Sequence, residues 1–139
     1  MPAHSQTHAT RHATAKVAVQ ASQFTAYDET GGPPLLEVGL KETFTGDLAG
    51  ESTVRALQTR QGDGRASMVS LQRFDGTLGG RRGSFVLQGT ETITGGRIKA
   101  RWFVVPRSGT QELAGLRGEG GFEGEFGKGS DATLDYWFE

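Results

Sequence analysis

Two stretches thirty residues apart, Phe44-Thr45-Gly46-Asp47-Leu48-Ala49-Gly50 and Phe74-Asp75-Gly76-Thr77-Leu78-Gly79-Gly80, both read F-x-G-x-L-x-G. Phe122-Glu123-Gly124-Glu125-Phe126 is a partial third copy. In extended chain, successive side chains point to opposite faces. One face therefore alternates Phe, Gly, Leu and Gly, while the other carries Thr45, Asp47, Ala49 and Glu51, or Asp75, Thr77 and Arg81. A small closed barrel needs such an inner face, because its interior interleaves bulky and missing side chains as the strands coil. A flat sandwich has less reason to delete every second inward side chain. The repeat thus favours a barrel.

Working outward from the repeat, short segments of period-2 alternation are separated by Gly-rich punctuation, the pattern of an all-β meander. The expected strands run over about 15–27, 35–45, 47–60, 65–75, 83–93, 97–106, 110–122 and 131–139, which makes eight. The breaks carry turn chemistry at Gly31-Gly32-Pro33-Pro34, Gly46-Asp47, Gly62-Asp63-Gly64, Gly79-Gly80, Gly95-Gly96, Arg107-Ser108-Gly109 and Gly127-Lys128-Gly129. Gly95-Gly96 is a two-residue hairpin signal, since glycine supplies the positive φ of I′ and II′ turns. Ser52 to Gln61 has some helical character, but the β-branched Thr53-Val54 pair and the flanking strands favour a strand.

Parity also assigns the rest of the inner face. Extending the first copy backwards puts Leu36, Val38, Leu40 and Glu42 beside Phe44, with Glu37 and Lys41 opposite. Extending the second puts Ala66, Met68, Ser70 and Gln72 beside Phe74, so Gln72 is the counterpart of Glu42. In Arg97-Ile98-Lys99-Ala100-Arg101-Trp102, Trp102 faces inward with Ile98, Ala100 and Val104. Tyr136 shares its face with Leu134 and Phe138. A bulge anywhere would shift these assignments by one.

Composition removes several classes of function. The 139 residues include 22 glycines, about twice the usual share, with no collagen period. With 15 basic and 16 acidic residues interspersed and a net charge of −1, no field gathers phosphates, and neither nucleic acid nor a membrane is an expected partner. The absence of cysteine removes disulfides, thiolate nucleophiles and Cys-ligated metals. The only histidines, His4, His8 and His12, fall in a polar stretch that reads as a disordered tail over 1–14, ahead of one domain over 15–139. Helical spacing could let them chelate a metal, but the tail reading prevails, so no metal site is expected. The body then lacks imidazole, which excludes a Ser-His-Asp triad there. No secretory signal is legible and no cysteine demands an oxidising compartment, so the expected setting is cytoplasmic.

The run Phe74-Asp75-Gly76-Thr77-Leu78-Gly79-Gly80-Arg81-Arg82-Gly83-Ser84-Phe85-Val86-Leu87-Gln88 is followed by Val104-Val105-Pro106-Arg107-Ser108-Gly109-Thr110-Gln111-Glu112-Leu113-Ala114-Gly115-Leu116-Arg117-Gly118-Glu119-Gly120 and closed by Leu134-Asp135-Tyr136. Together with Phe44 to Gly50, this order resembles a family of small bacterial proteins of unknown function, from about residue 15 to the end. The resemblance implies an eight-stranded antiparallel barrel similar to allene oxide cyclase, a fold also used by bacterial cyclases that close polyketide rings without a cofactor. It implies no agreed catalytic residues. Two departures stand out: the family's usual acidic residue falls at Gln72, and its usual histidine at Gly89.

Three readings of function follow. The first is a cofactor-independent isomerase or cyclase that confines an apolar, polyketide- or polyene-like molecule inside the barrel. Glu42, desolvated among Leu40, Phe44 and Trp102, would serve as acid or base, and Tyr136 as a second proton donor or acceptor. Gln72, Trp102, Phe44, Met68 and Leu40 would bind the ligand. A plainer assignment pairs Glu42 with an arginine at the barrel mouth. The second reading is a non-catalytic barrel for a small apolar ligand, and it shares with the first the need for a cavity of about 300 Å3 or more. The third fills the interior with side chains and assigns function to self-association as a homo-oligomer, because Val69, Leu71, Phe103 and Val105 place apolar residues on the outward face. The loop Arg107-Ser108-Gly109-Thr110 could cup an anion or simply turn the chain.

Overall fold

In the computed structural model, which describes residues 9–125 and 128–139, period-2 burial runs through eight strands. These are β1 (Arg11–Asp28), β2 (Leu35–Gly46), β3 (Leu48–Gly62), β4 (Arg65–Leu78), β5 (Arg81–Thr94), β6 (Arg97–Val104), β7 (Leu116–Glu125) and β8 (Gly129–Phe138). Each pairs antiparallel with its chain neighbours, and β1 pairs with β8 to close the barrel. The closing register sets Ala13 opposite Leu134 and Val17 opposite Ser130. Ser52 to Gln61 is strand, within β3.

The first and seventh strands differ from the sequence expectation. β1 takes in residues 11–14, assigned above to the tail, because Ala13 is buried against β8. His12 therefore belongs to the body; its imidazole faces outward, 2.5 Å from the Asp135 carboxylate, while His4 and His8 lie outside the described residues. Phe126 of the third repeat copy and Gly127 of the last turn also lie outside them. β7 begins at Leu116 instead of 110. The intervening chain turns at Arg107, with φ of 67°, and forms one 3-10 turn over Gln111–Leu113. That turn drops Leu113, fully buried, into the barrel end beside Gly83. A regular strand from 110 would have left that end open.

The repeat glycines have a specific role at one place. Gly50 and Gly76 face each other across β3 and β4. A Cβ on Gly76 would come within 2.1 Å of the Ala49 carbonyl oxygen, and one on Gly50 within 2.3 Å of that of Asp75. The two backbones approach so closely here that only residues without a side chain fit.

The interior divides into two halves. Toward the end that carries the β2–β3 and β4–β5 turns, Phe44, Phe74, Phe85, Leu48, Leu78, Leu87, Leu113, Leu116 and Leu134 are at most 1 % exposed. Phe74 contacts Phe44 edge-on at 5.3 Å and Phe85 at 5.1 Å between ring centroids. Toward the other end, which carries the β1–β2, β3–β4, β5–β6 and β7–β8 turns, the barrel is hollow. Outside, Leu57 on β3, Val69 and Leu71 on β4 and Phe103 on β6 are exposed, while Val105 is half-buried.

Candidate functional site

The hollow half holds a cavity of about 790 Å3. Its walls are mostly apolar, from Val38 and Leu40 on β2, Val54 on β3, Met68 on β4, Ile93 on β5 and Phe122 on β7. This volume excludes an interior filled wholly by side chains and matches the usual range for a small-molecule pocket.

A bulge in β1 helps to shape it. The register with β2 slips between Val19, opposite Glu42, and Ala21, opposite Lys41. Beyond the slip the inward positions move by one, so that Ser22 and Phe24 meet Leu40 and Val38 and line the cavity. At the mouth, the Arg60 guanidinium lies 5.3 Å over the Phe24 ring and donates through Nε to Gln58 Oε1 at 2.9 Å.

Two carboxyls stand in this apolar space. Glu42, on β2, is 9 % exposed and accepts a hydrogen bond from Ser52 Oγ on β3 at 3.4 Å. Glu91, on β5, is 3 % exposed and accepts one from Ser70 Oγ on β4 at 2.6 Å. Burial pushes the Glu42 pKa up from 4.5 to about 7, the Ser52 hydroxyl opposing and the charge of Glu91 adding to the rise. Burial also raises that of Glu91, against the hydrogen bond from Ser70. No ion pair among the described residues involves either carboxyl. The arginine partner considered for Glu42 is thus replaced by a serine. Glu42 can thus hold or release a proton near neutrality.

Gly89 makes room for the second carboxyl. A Cβ there would sit 2.7 Å from Glu91 Oε2 and 3.2 Å from Ser70 Oγ. Where the resemblance places a histidine, this chain has an open surface over which the Glu91 carboxyl lies. Among the described residues, two buried side-chain atoms have no hydrogen-bond partner, Gln72 Oε1 and Glu91 Oε1.

Of the residues singled out from the sequence, Leu40, Glu42, Met68 and Gln72 line this cavity together. Phe44 and Trp102 belong to the packed cluster, one interior layer below Glu42 and beside Phe122; Trp102 Nε1 donates to the Thr133 carbonyl at 3.1 Å. They support the floor. Tyr136 is a correction: it packs at the closed end, 6.1 Å from Phe138, with its hydroxyl under the Gly79 turn and away from Glu42. Its place at the end of β8 carries it past the hollow half. Glu91, Ser52 and Gln58 went unassigned in the sequence and Ser70 was placed inward without a role, although parity from Phe85 and Leu87 puts Glu91 inward. Arg107 to Thr110 forms a turn, with Ser108 Oγ accepting from the Val86 amide at 3.0 Å and Thr110 Oγ1 from that of Ser84 at 3.0 Å. Those hydroxyls tie the loop to β5, and no anion cup forms. Among the described residues, no group of three or more His, Asp or Glu side chains is placed to hold a metal, and no helix is long and apolar enough to cross a membrane.

A family model described as a protein of unknown function, DUF3224, matches residues 13–137. The crystal structure of a protein with unknown function from the DUF3224 family of Shewanella oneidensis MR-1 is similar, with a TM-score of 0.76 and 30 % identity over 94 % of this chain and 98 % of that one. No curated protein matches the chain.

Proposed function

Because the chain belongs to the DUF3224 family of proteins of unknown function, its activity has to be read from its own cavity, and we propose a cofactor-independent isomerase or cyclase that moves a proton on a small, largely apolar molecule held in the barrel. The observation that carries this reading is the pair of buried carboxyls, Glu42 and Glu91, in one apolar cavity of about 790 Å3. A carboxyl whose pKa stands near 7 is close to the ideal for proton transfer at neutral pH, since both of its forms are populated. Apolar walls exclude water and restrict a flexible polyketide- or polyene-like substrate to reactive conformations. Glu42 gives or takes the proton, Ser52 orients its carboxyl, and the Gln72 amide lies in the same wall to meet a substrate carbonyl. A cytoplasmic setting belongs to the same proposal and rests on the lack of cysteine.

The second reading is a barrel that binds an apolar ligand without reacting, favoured by the apolar share of the wall from Val38, Leu40, Val54, Met68, Ile93 and Phe122. One experiment separates them. Purified protein is incubated with a panel of linear polyenes and poly-β-carbonyl compounds, and Glu42→Gln is run beside it. The catalytic reading expects isomerised or cyclised product from the parent protein and a fall of about a hundredfold or more in the variant. Tight binding with no product favours the binder, and equal turnover in both proteins removes Glu42 from the chemistry.

A further inference from the structure

Among the described residues, no cation pairs with the two carboxyls that stand inside the cavity, Glu42 and Glu91. Its lining includes Arg60 and Arg65, both at the mouth; Arg60 is committed to Gln58 and to the Phe24 ring, and neither makes an ion pair with Glu42 or Glu91. Glu125, the remaining charged group of the lining, also lies at the rim, paired with Arg97 at 2.9 Å and Lys128 at 3.4 Å. The described chain is generous with ion pairs elsewhere: Glu37, Asp75, Glu123 and Asp131 each have a basic partner on the outer surface. The two carboxyls that face into the barrel are left with serine hydroxyls alone. Buried carboxyls are ordinarily paired, because removing a charge from water costs more than a single hydroxyl restores.

The unpartnered atoms point the same way. Both Gln72 Oε1 and Glu91 Oε1 are acceptors, and both belong to side chains at least nine-tenths buried. Gln72 Oε1 and the carboxyls of Glu42 and Glu91 share one cavity, and an apolar molecule alone would leave all three unmatched.

We propose that the molecule held in this cavity carries an ammonium group on its apolar body, and that Glu42 and Glu91 receive this group between them while the hydrocarbon part fills the space toward Met68 and Ile93. This inference rests on the cavity being a small-molecule site, and it names the class of molecule. A primary or secondary amine brings the donors that the acceptors lack and the positive charge that the carboxyls lack. Gly89 leaves the room in which the Glu91 carboxyl turns toward Ser70. Charge-assisted hydrogen bonds in a dry cavity are the strong kind, so the amine should outrank an alcohol of equal length.

The test compares n-octylammonium chloride, 1-octanol and sodium octanoate by isothermal titration calorimetry on the full chain at pH 7.5, in two buffers of different ionisation enthalpy. The expected result is that the amine binds about tenfold or more tighter than the alcohol. Its heat should depend on the buffer, because an arriving cation favours the charged form of Glu42 and expels the proton from the fraction that still holds it. Glu42→Gln and Glu91→Gln, with folding checked by near-ultraviolet circular dichroism, should each weaken the amine about tenfold and the alcohol by much less, so that the preference for the amine shrinks. Equal affinity for amine and alcohol, or tighter binding of octanoate, overturns the ammonium assignment and leaves the cavity as a binding site. Failure of all three to bind overturns both that assignment and the small-molecule reading beneath it.

Discussion

At the scale of the residue, Glu42 links the cavity to stability. Its pKa rises from 4.5 in the unfolded chain to about 7 in the barrel, chiefly because burial penalises the charged form. Below 4.5 both states hold the proton, and between 4.5 and about 7 the folded state holds it while the unfolded state releases it. Stability therefore falls as pH rises through this window, by about 3 kcal/mol in all, and is level with respect to this group above it. Thermal melts of the parent protein should show the Tm dropping from pH 5 to pH 8, and Glu42→Gln should drop less. A parent Tm that climbs over that range would contradict the buried, unpaired state of this carboxyl. Parity from Phe44 identified Glu42 as an inward carboxylate, because alternation is a property of the strand itself. Its partner was not legible: Ser52 lies ten residues away and meets it only through the β2–β3 register.

At the scale of the element, the chain between β6 and β7 does what no strand could. Pro106, Arg107 and Gly109 break the alternation, and the 3-10 turn that follows seats Leu113 at the end of the barrel, fully buried against Gly83. Truncating it to Leu113→Ala removes the transfer energy and leaves a void, at a cost of about 3 kcal/mol. Urea denaturation measures this directly, and a change under about 1 kcal/mol would mean that the end is not sealed by this side chain. The sequence expectation began β7 at 110, directly after the Arg107-Ser108-Gly109 turn; Thr110-Gln111-Glu112-Leu113-Ala114 is too short and mixed for periodicity to distinguish a plug from a strand. The bulge in β1 was equally hidden. Nothing in Val19-Gln20-Ala21 announces an extra residue, yet the slip decides that Ser22 and Phe24, and not their neighbours, line the cavity with Val38 and Leu40.

At the scale of the molecule, the barrel uses its interior unequally, with aromatic and leucine packing at one end and a cavity of about 790 Å3 at the other. Hollow space is stability forgone, because its lining loses contact partners. Ala66 is buried at the upper wall and lines the cavity, so Ala66→Phe should fill part of it. The variant should gain about 1 kcal/mol and a few degrees in Tm while losing affinity for any molecule the cavity holds. Calorimetry with the alkyl probes and a melt on the same sample check both halves. A variant that binds as well as the parent would place the binding site elsewhere.

What the sequence determined by itself is the closed barrel and most of its inner face, Glu42 among it, since alternation, turn glycines and the F-x-G-x-L-x-G repeat act over a few residues at a time. Which inward positions pack and which stay open was decided only by the tertiary structure. Closure of β1 on β8, the bulge in β1 and the Leu113 plug set the space across the barrel. They bring Glu42 of β2 and Glu91 of β5, forty-nine residues apart, into one cavity and leave Tyr136 at the other end. Contacts across a barrel depend on how all eight strands coil together, and no local pattern in the chain encodes that distance.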